Sequence, residues 1–201
     1  MTHILHLPES KMRRLFAATY PLADQAHTPQ HPLLTRIYVT SHAGAVYAMA
    51  SNRYIVGIQR VEDSFIAEGL TGAIHWSSAR DVVRKREDRV ELISPDDDDW
   101  IAPVPFASIV YRAFTPETSR PLIVGALDPT MIAALAPACK ANGIPGYEAR
   151  WTTGVAPDDI DNERANQIGV TIGPDFAAIL ISVKQPNEPF IPGWLSNIAQ
   201  I

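Results

Sequence analysis

Eight cations sit in three stretches with helical spacing: Lys11, Arg13 and Arg14 in ESKMRRLFAATY (9–20), Arg80, Arg84, Lys85 and Arg86 in SSARDVVRKRED (77–88), and Lys140 in DPTMIAALAPACKANG (128–143). Such residues can grip a phosphate backbone electrostatically without reading its bases. The chain of 201 residues is acidic overall, with a net charge of −5, so it is no uniformly basic nucleic-acid binder. Its cations act together only if the fold gathers them on one face. The plainer account is that amphipathic helices always turn charge outward.

Other chemistry has weaker support. Asp96 to Asp99 could hold a hard cation, but the alternating spacing of a calcium loop is absent and a solvated turn fits as well. His3 with His6, and His27 with His31, have ligand-like spacing without accompanying cysteine or carboxylate at telling intervals. The single cysteine, Cys139, cannot close an internal disulfide and falls on the apolar side of an expected helix. There is no glycine-rich phosphate loop and no Gly-X-Ser-X-Gly elbow. Neither a metal nor a cofactor is expected. No apolar run approaches the roughly 20 residues that span a bilayer, and the N-terminus lacks a signal-peptide pattern, so a cytoplasmic protein is expected.

The elements that must position these residues follow from periodicity. In 9–20, Met12, Leu15, Phe16 and Thr19 form a buried stripe behind a Ser10 cap. LTRIYVTSH (34–42) alternates with a period of two, placing Ile37 and Val39 inward and Arg36, Tyr38 and Thr40 outward. VYAMA (46–50) and RYIVGIQRV (53–61) continue a meander, reversed at Ser51-Asn52, because Asn tolerates the left-handed conformation of tight hairpins. GAIHW is a short strand before the second helix, whose apolar side is Ala79, Val82 and Val83. RVELIS (89–94) is a further strand, and WIAPVPFASIVYRAF (100–114) is extended and broken by prolines. TPETSRP (115–121) marks a boundary between a first domain, 1–120, and a half domain, 121–201. In the latter, Asp128-Pro129 starts a helix that kinks or restarts at Pro137, and a closing hairpin uses 168–173 and 176–185. The rhythm of helix followed by strands occurs three times, an α+β repeat.

At "GAVYAMASNRYIVGIQRV" (44–61) the chain resembles the bacterial DNA sliding clamp, the beta subunit of replicative polymerase, with Ser51-Asn52 where that family has Thr-Asp. "WSSARDVVRKRE", "PFASIVYRAFTP" (105–116) and "AAILISVKQ" (177–185) resemble, in the right order, its following helix, its segment before the interdomain linker and its final strand. The resemblance implies a clamp-like fold with sheets outside and helices inside. It implies a non-enzymatic processivity factor encircling duplex DNA as a homo-oligomeric ring. Clamp subunits carry six helix-plus-strands units and this chain three, so the number of chains in a ring stays open. The partners implied are double-stranded DNA, held without sequence preference by Lys11, Arg13, Arg14, Arg80, Arg84, Lys85 and Lys140, and peptides of a polymerase and a clamp loader. By position, Tyr54 and Ile55 would form one wall of the peptide pocket, Phe114 and Pro116 the linker edge, and Ile179 and Ile181 the far wall. Two other readings stay open: a monomeric clamp-derived interaction module, and an unrelated α+β enzyme.

Overall fold

The computed structural model describes residues 3–25, 31–52, 54–103, 106, 109–110, 119–120, 129–154 and 167–181. Two βαβββ halves build it. The first is β1 (His3–His6), α1 (Glu9–Thr19), β2 (Arg36–His42), β3 (Ala45–Ser51) and β4 (Ile55–Glu62). The second is β7 (Ser119–Arg120), α3 (Pro129–Asn142), β8 (Arg150–Gly154), β9 (Gln167–Ile172) and β10 (Phe176–Ile181). Between them lies β5 (Thr71–His75), α2 (Trp76–Lys85) and β6 (Arg89–Leu92).

The two meanders join edge to edge. β4 and β10 pair antiparallel from Phe176 opposite Gln59 to Leu180 opposite Ile55, giving one sheet in the order β5-β2-β3-β4-β10-β9-β8-β7. Strands from both sides of the boundary expected near residue 120 therefore share one hydrogen-bonded sheet. β1 and β6 form a separate ribbon, tied on by the Ala73–Ile93 bridge.

Period two sorts the strand residues. Ile37, Val39, Val46, Ala48, Ala50, Ile55, Val61, Val170, Phe176, Ala178 and Leu180 face the helices. They meet Met12, Leu15 and Phe16 of α1, the stripe expected from sequence, together with Trp76, Ala79 and Val82 of α2 and Met131, Leu135 and Ala138 of α3. Each Val, Leu, Ile, Phe or Met side chain among them contributes about 1.5–3 kcal/mol by leaving water, and each alanine methyl less. Ser10 does not cap α1: Pro8 is the N-cap, and its carbonyl accepts from the N–H groups of Lys11 and Met12. His75 caps α2 by accepting from the Ser77 N–H at 3.3 Å, and α3 runs through Pro137.

The opposite face of the sheet is covered too. Tyr38, Val56, Ala73 and Ile179 pack there with Phe106, Val110 and Trp100. Tyr38, which alternates with Ile37 and Val39, is 1 % exposed on this second face. Trp100 meets its ring edge-on at 5.9 Å and Phe106 at a 50° tilt. Phe106, Ile109 and Val110, expected to be extended, have helical backbone. A sheet buried on both faces reads as continuous apolar sequence, which is why IYV and YIVGI break clean alternation.

Turns follow local chemistry. The Asn52 side-chain oxygen accepts from the N–H groups of Tyr54 (3.2 Å) and Ile55 (3.0 Å), fixing the expected reversal. Ala43 and Gly44 turn β2 into β3 with positive φ, and the Glu68 carboxylate accepts from the Ala43 N–H. That bond and the His42 ring hold the Glu68 carboxyl below its ordinary pKa.

Two stability predictions follow from the packing. A Cβ on Gly72 would stand 2.6 Å from Leu92 Cβ and 3.1 Å from the Ile93 carbonyl oxygen. Gly72→Ala is expected to lower unfolding free energy by about 1–3 kcal/mol in urea titration, since neither neighbour can rotate away. The Tyr38 hydroxyl is buried without a hydrogen-bond partner among the described residues, and desolvation pushes its pKa up. Tyr38→Phe should raise stability by about 1 kcal/mol; a loss in the same titration would show that the hydroxyl is satisfied.

Candidate functional site

The helices form a layer on one face of the sheet, with α1 in contact with both α2 and α3. A reciprocal amide pair docks α3: Gln59 Nε2 donates to Asn142 Oδ1 at 3.1 Å, and Asn142 Nδ2 donates to Gln59 Oε1 at 2.8 Å. Gln59 is fully buried, so this pair satisfies polar groups that would otherwise be costly there.

The seven expected cations divide by what their charge does. Lys11 donates to Asp63 Oδ2 at 3.3 Å, and Arg14 pairs with Asp175 Oδ2 at 3.4 Å. Asp175 also receives Arg60 at 3.1 Å, so it joins α1, β4 and the start of β10. Glu62, then Tyr47 and Asp175, hold the Arg60 guanidinium above its ordinary pKa. Arg80 lies 5.1 Å over the Trp76 ring and 3.7 Å from Asp81. Lys85 is exposed and 3.9 Å from Glu87. Arg86, beyond α2, is 3.8 Å from Glu9. Arg13, Arg84 and Lys140 are exposed and have no ion-pair partner among the described residues.

Three of the seven meet at one place. Arg13, Arg14 and Lys140 line a cleft of about 750 Å³ between α1 and α3, with Val83 of α2 on its wall. Small and apolar residues complete its lining: Ala17 from α1, Tyr20 from the turn that follows it, and Ala133, Ala136, Pro137 and Ala141 from α3. Alanines at these positions leave space that longer side chains would fill.

The expected peptide pocket is not assembled in the same way. Tyr54 is exposed at the β3–β4 turn. Ile55 is fully buried toward the helices, whereas Ile179 is buried on the opposite face, where its cross-strand neighbour is Val56. The sheet thus separates Ile55 from Ile179, and the one-residue register decides it. Ile181 ends β10 opposite Gln167, and Phe114 and Pro116 lie outside the described residues.

Of the weaker candidates, Asp97 and Ser94 form turns: Asp97 Oδ1 accepts from the Asp99 N–H and Ser94 Oγ from the Asp96 N–H. His3 Nδ1 lies 2.7 Å from the Thr71 carbonyl oxygen, and His6 is 3.6 Å from Asp88. His27 lies outside the described residues. Among the described residues no three His, Cys, Asp or Glu gather as a metal site. Burial pushes the Cys139 thiol up, which makes it a poor nucleophile. No helix among the described residues is long and apolar enough to cross a membrane.

No protein-family model matches the chain, and no curated protein matches it. Solved structures do. The DNA polymerase sliding clamp of Bacillus subtilis superposes with a TM-score of 0.58 at 12 % identity, over 92 % of this chain and 65 % of the clamp. The beta subunit from the DNA polymerase of Streptococcus pyogenes gives 0.52 at 12 %, over 92 % of this chain and 66 % of that one. The polymerase III beta subunit of Thermotoga maritima gives 0.55 at 10 %, over 98 % and 67 %. The chain thus spans about two thirds of the length of the clamps it matches, and its fold is the α+β fold of bacterial DNA polymerase sliding clamps.

Proposed function

We propose that this protein is a sliding-clamp-like processivity factor, without covalent chemistry of its own, that encircles duplex DNA as a homo-oligomer. The observation that carries the reading is the helix layer of a clamp fold bearing Arg13, Arg84 and Lys140, exposed and unpaired among the described residues. Unpaired cations on one face can exchange phosphates freely, which is what movement along DNA requires. Lys11, Arg14 and Arg80 play a lesser part, since each already has a partner in the fold. Tethering of a polymerase and engagement by a loader, through short peptides, belong to the same proposal; exposed Tyr54 is the described residue best placed to meet them.

The test joins oligomeric state to topology. Light scattering across a range of concentrations should give a multimer of defined stoichiometry, and the protein should stay on circular DNA but run off linearised DNA. Arg13→Glu, Arg84→Glu and Lys140→Glu combined should weaken duplex binding at least tenfold at low salt and lower the salt slope by about 2–3. A monomer that binds no DNA, alone or with a loader, would leave an interaction module as the better account.

A further inference from the structure

We propose that the cleft between α1 and α3 seats an unpaired base of single-stranded DNA, whose flanking phosphates lie on the exposed Arg13 and Lys140, with Arg14 adding positive charge to its wall. The inference rests on the helix layer being the nucleic-acid face, and it adds a preference for one form of the polymer.

The lead is the composition of α3. Its outward turns carry Ile132, 43 % exposed, with Ala133 and Ala136 also exposed, and Lys140 is its one charged residue. A surface that only rides on phosphates needs charge and gains nothing from exposed apolar groups. Here three cations share one concave lining with Tyr20, Pro137 and four alanines. A positive groove beside an aromatic and apolar platform is the combination that holds single strands, in which the base face is available. In a duplex the bases are stacked inside and cannot enter.

Size and charge agree with this occupant. The volume, about 750 Å³, lies in the roughly 300–1,000 Å³ range of small-ligand clefts and so has room for a base and its sugar. Among the described residues, no acidic side chain lines the cleft. Arg14 is anchored through one terminal nitrogen to Asp175, while its Nε, shielded from solvent, has no hydrogen-bond acceptor among the described residues. Val83 of α2 also lines the cleft.

The test compares fluorescently labelled oligothymidylate with a hairpin duplex of equal phosphate number, by anisotropy at one salt concentration. The full chain should bind the single strand about tenfold more tightly, a typical effect of one stacked base. Ala133→Leu with Ala136→Leu fills the cleft at exposed positions without touching a charge. It should abolish that preference while duplex affinity stays within about twofold. Equal affinity of the unmodified chain for both forms, or a preference that survives cleft filling, would overturn the proposal and leave the duplex reading standing. Failure to bind either form would overturn both. Oligoglutamate bound more tightly than oligothymidylate would overturn it in favour of an acidic protein segment.

Discussion

The antiparallel pairing of β4 with β10 is the constraint on which the molecule depends. It welds two βαβββ halves into one sheet, and its five residue pairs place Leu180 beside Ile55 and Ile179 beside Val56. Helix-facing and opposite-face cores are both fixed by that register. Two polar devices reinforce the seam. Arg60 on β4 reaches Asp175 at the entrance to β10, and Gln59 on β4 exchanges amide hydrogen bonds with Asn142 at the end of α3. Asp175 also takes Arg14, so the same carboxylate fixes α1 over the junction.

The helix layer inherits its electrostatics from this arrangement. Cations whose neighbours are acidic, such as Lys11 beside Asp63, serve the fold, and those turned away from the sheet remain open to solvent. An acidic chain can therefore present a positive strip, because many of its carboxylates are elsewhere, at strand ends and in turns. The strip is interrupted by Glu9, Asp81 and Glu87, each near a basic residue. Weak, interrupted attraction is what the proposed function asks of this surface, which would hold a polyanion and still let it move.

Much of this was legible in residue pattern. The Met12–Leu15–Phe16–Thr19 stripe, the Asn52 reversal and the succession of one helix and several strands follow from local rules, and they carry the α+β class. Local rules could not tell which strands are covered on both faces. Periodicity sets Tyr38 on the face opposite Ile37 and Val39, but does not show that Trp100, Phe106 and Val110 cover it there. Nor does periodicity fix absolute facing across two segments over a hundred residues apart, so Ile55 and Ile179 could be assigned to one pocket although the sheet lies between them. The division of the cations was hidden for the same reason, since Lys11–Asp63 and Arg14–Asp175 are long-range pairs. The cleft was hidden as well: alanines at 17, 133 and 136 look like ordinary helix formers until two helices bring their small faces together.

The position of β10 in the sheet has a consequence for synthesis on the ribosome. β4 lies in the middle of the finished sheet, yet its partner is made more than a hundred residues later. Until then the nascent first half carries a strand edge whose backbone N–H and C=O groups are unpaired, open to another chain in the same state. Closing that gap joins segments distant in sequence, a slow step in which loop entropy is lost before the contacts form. Expression yield should therefore depend on chaperone supply and translation rate more than the stability of the finished protein would indicate.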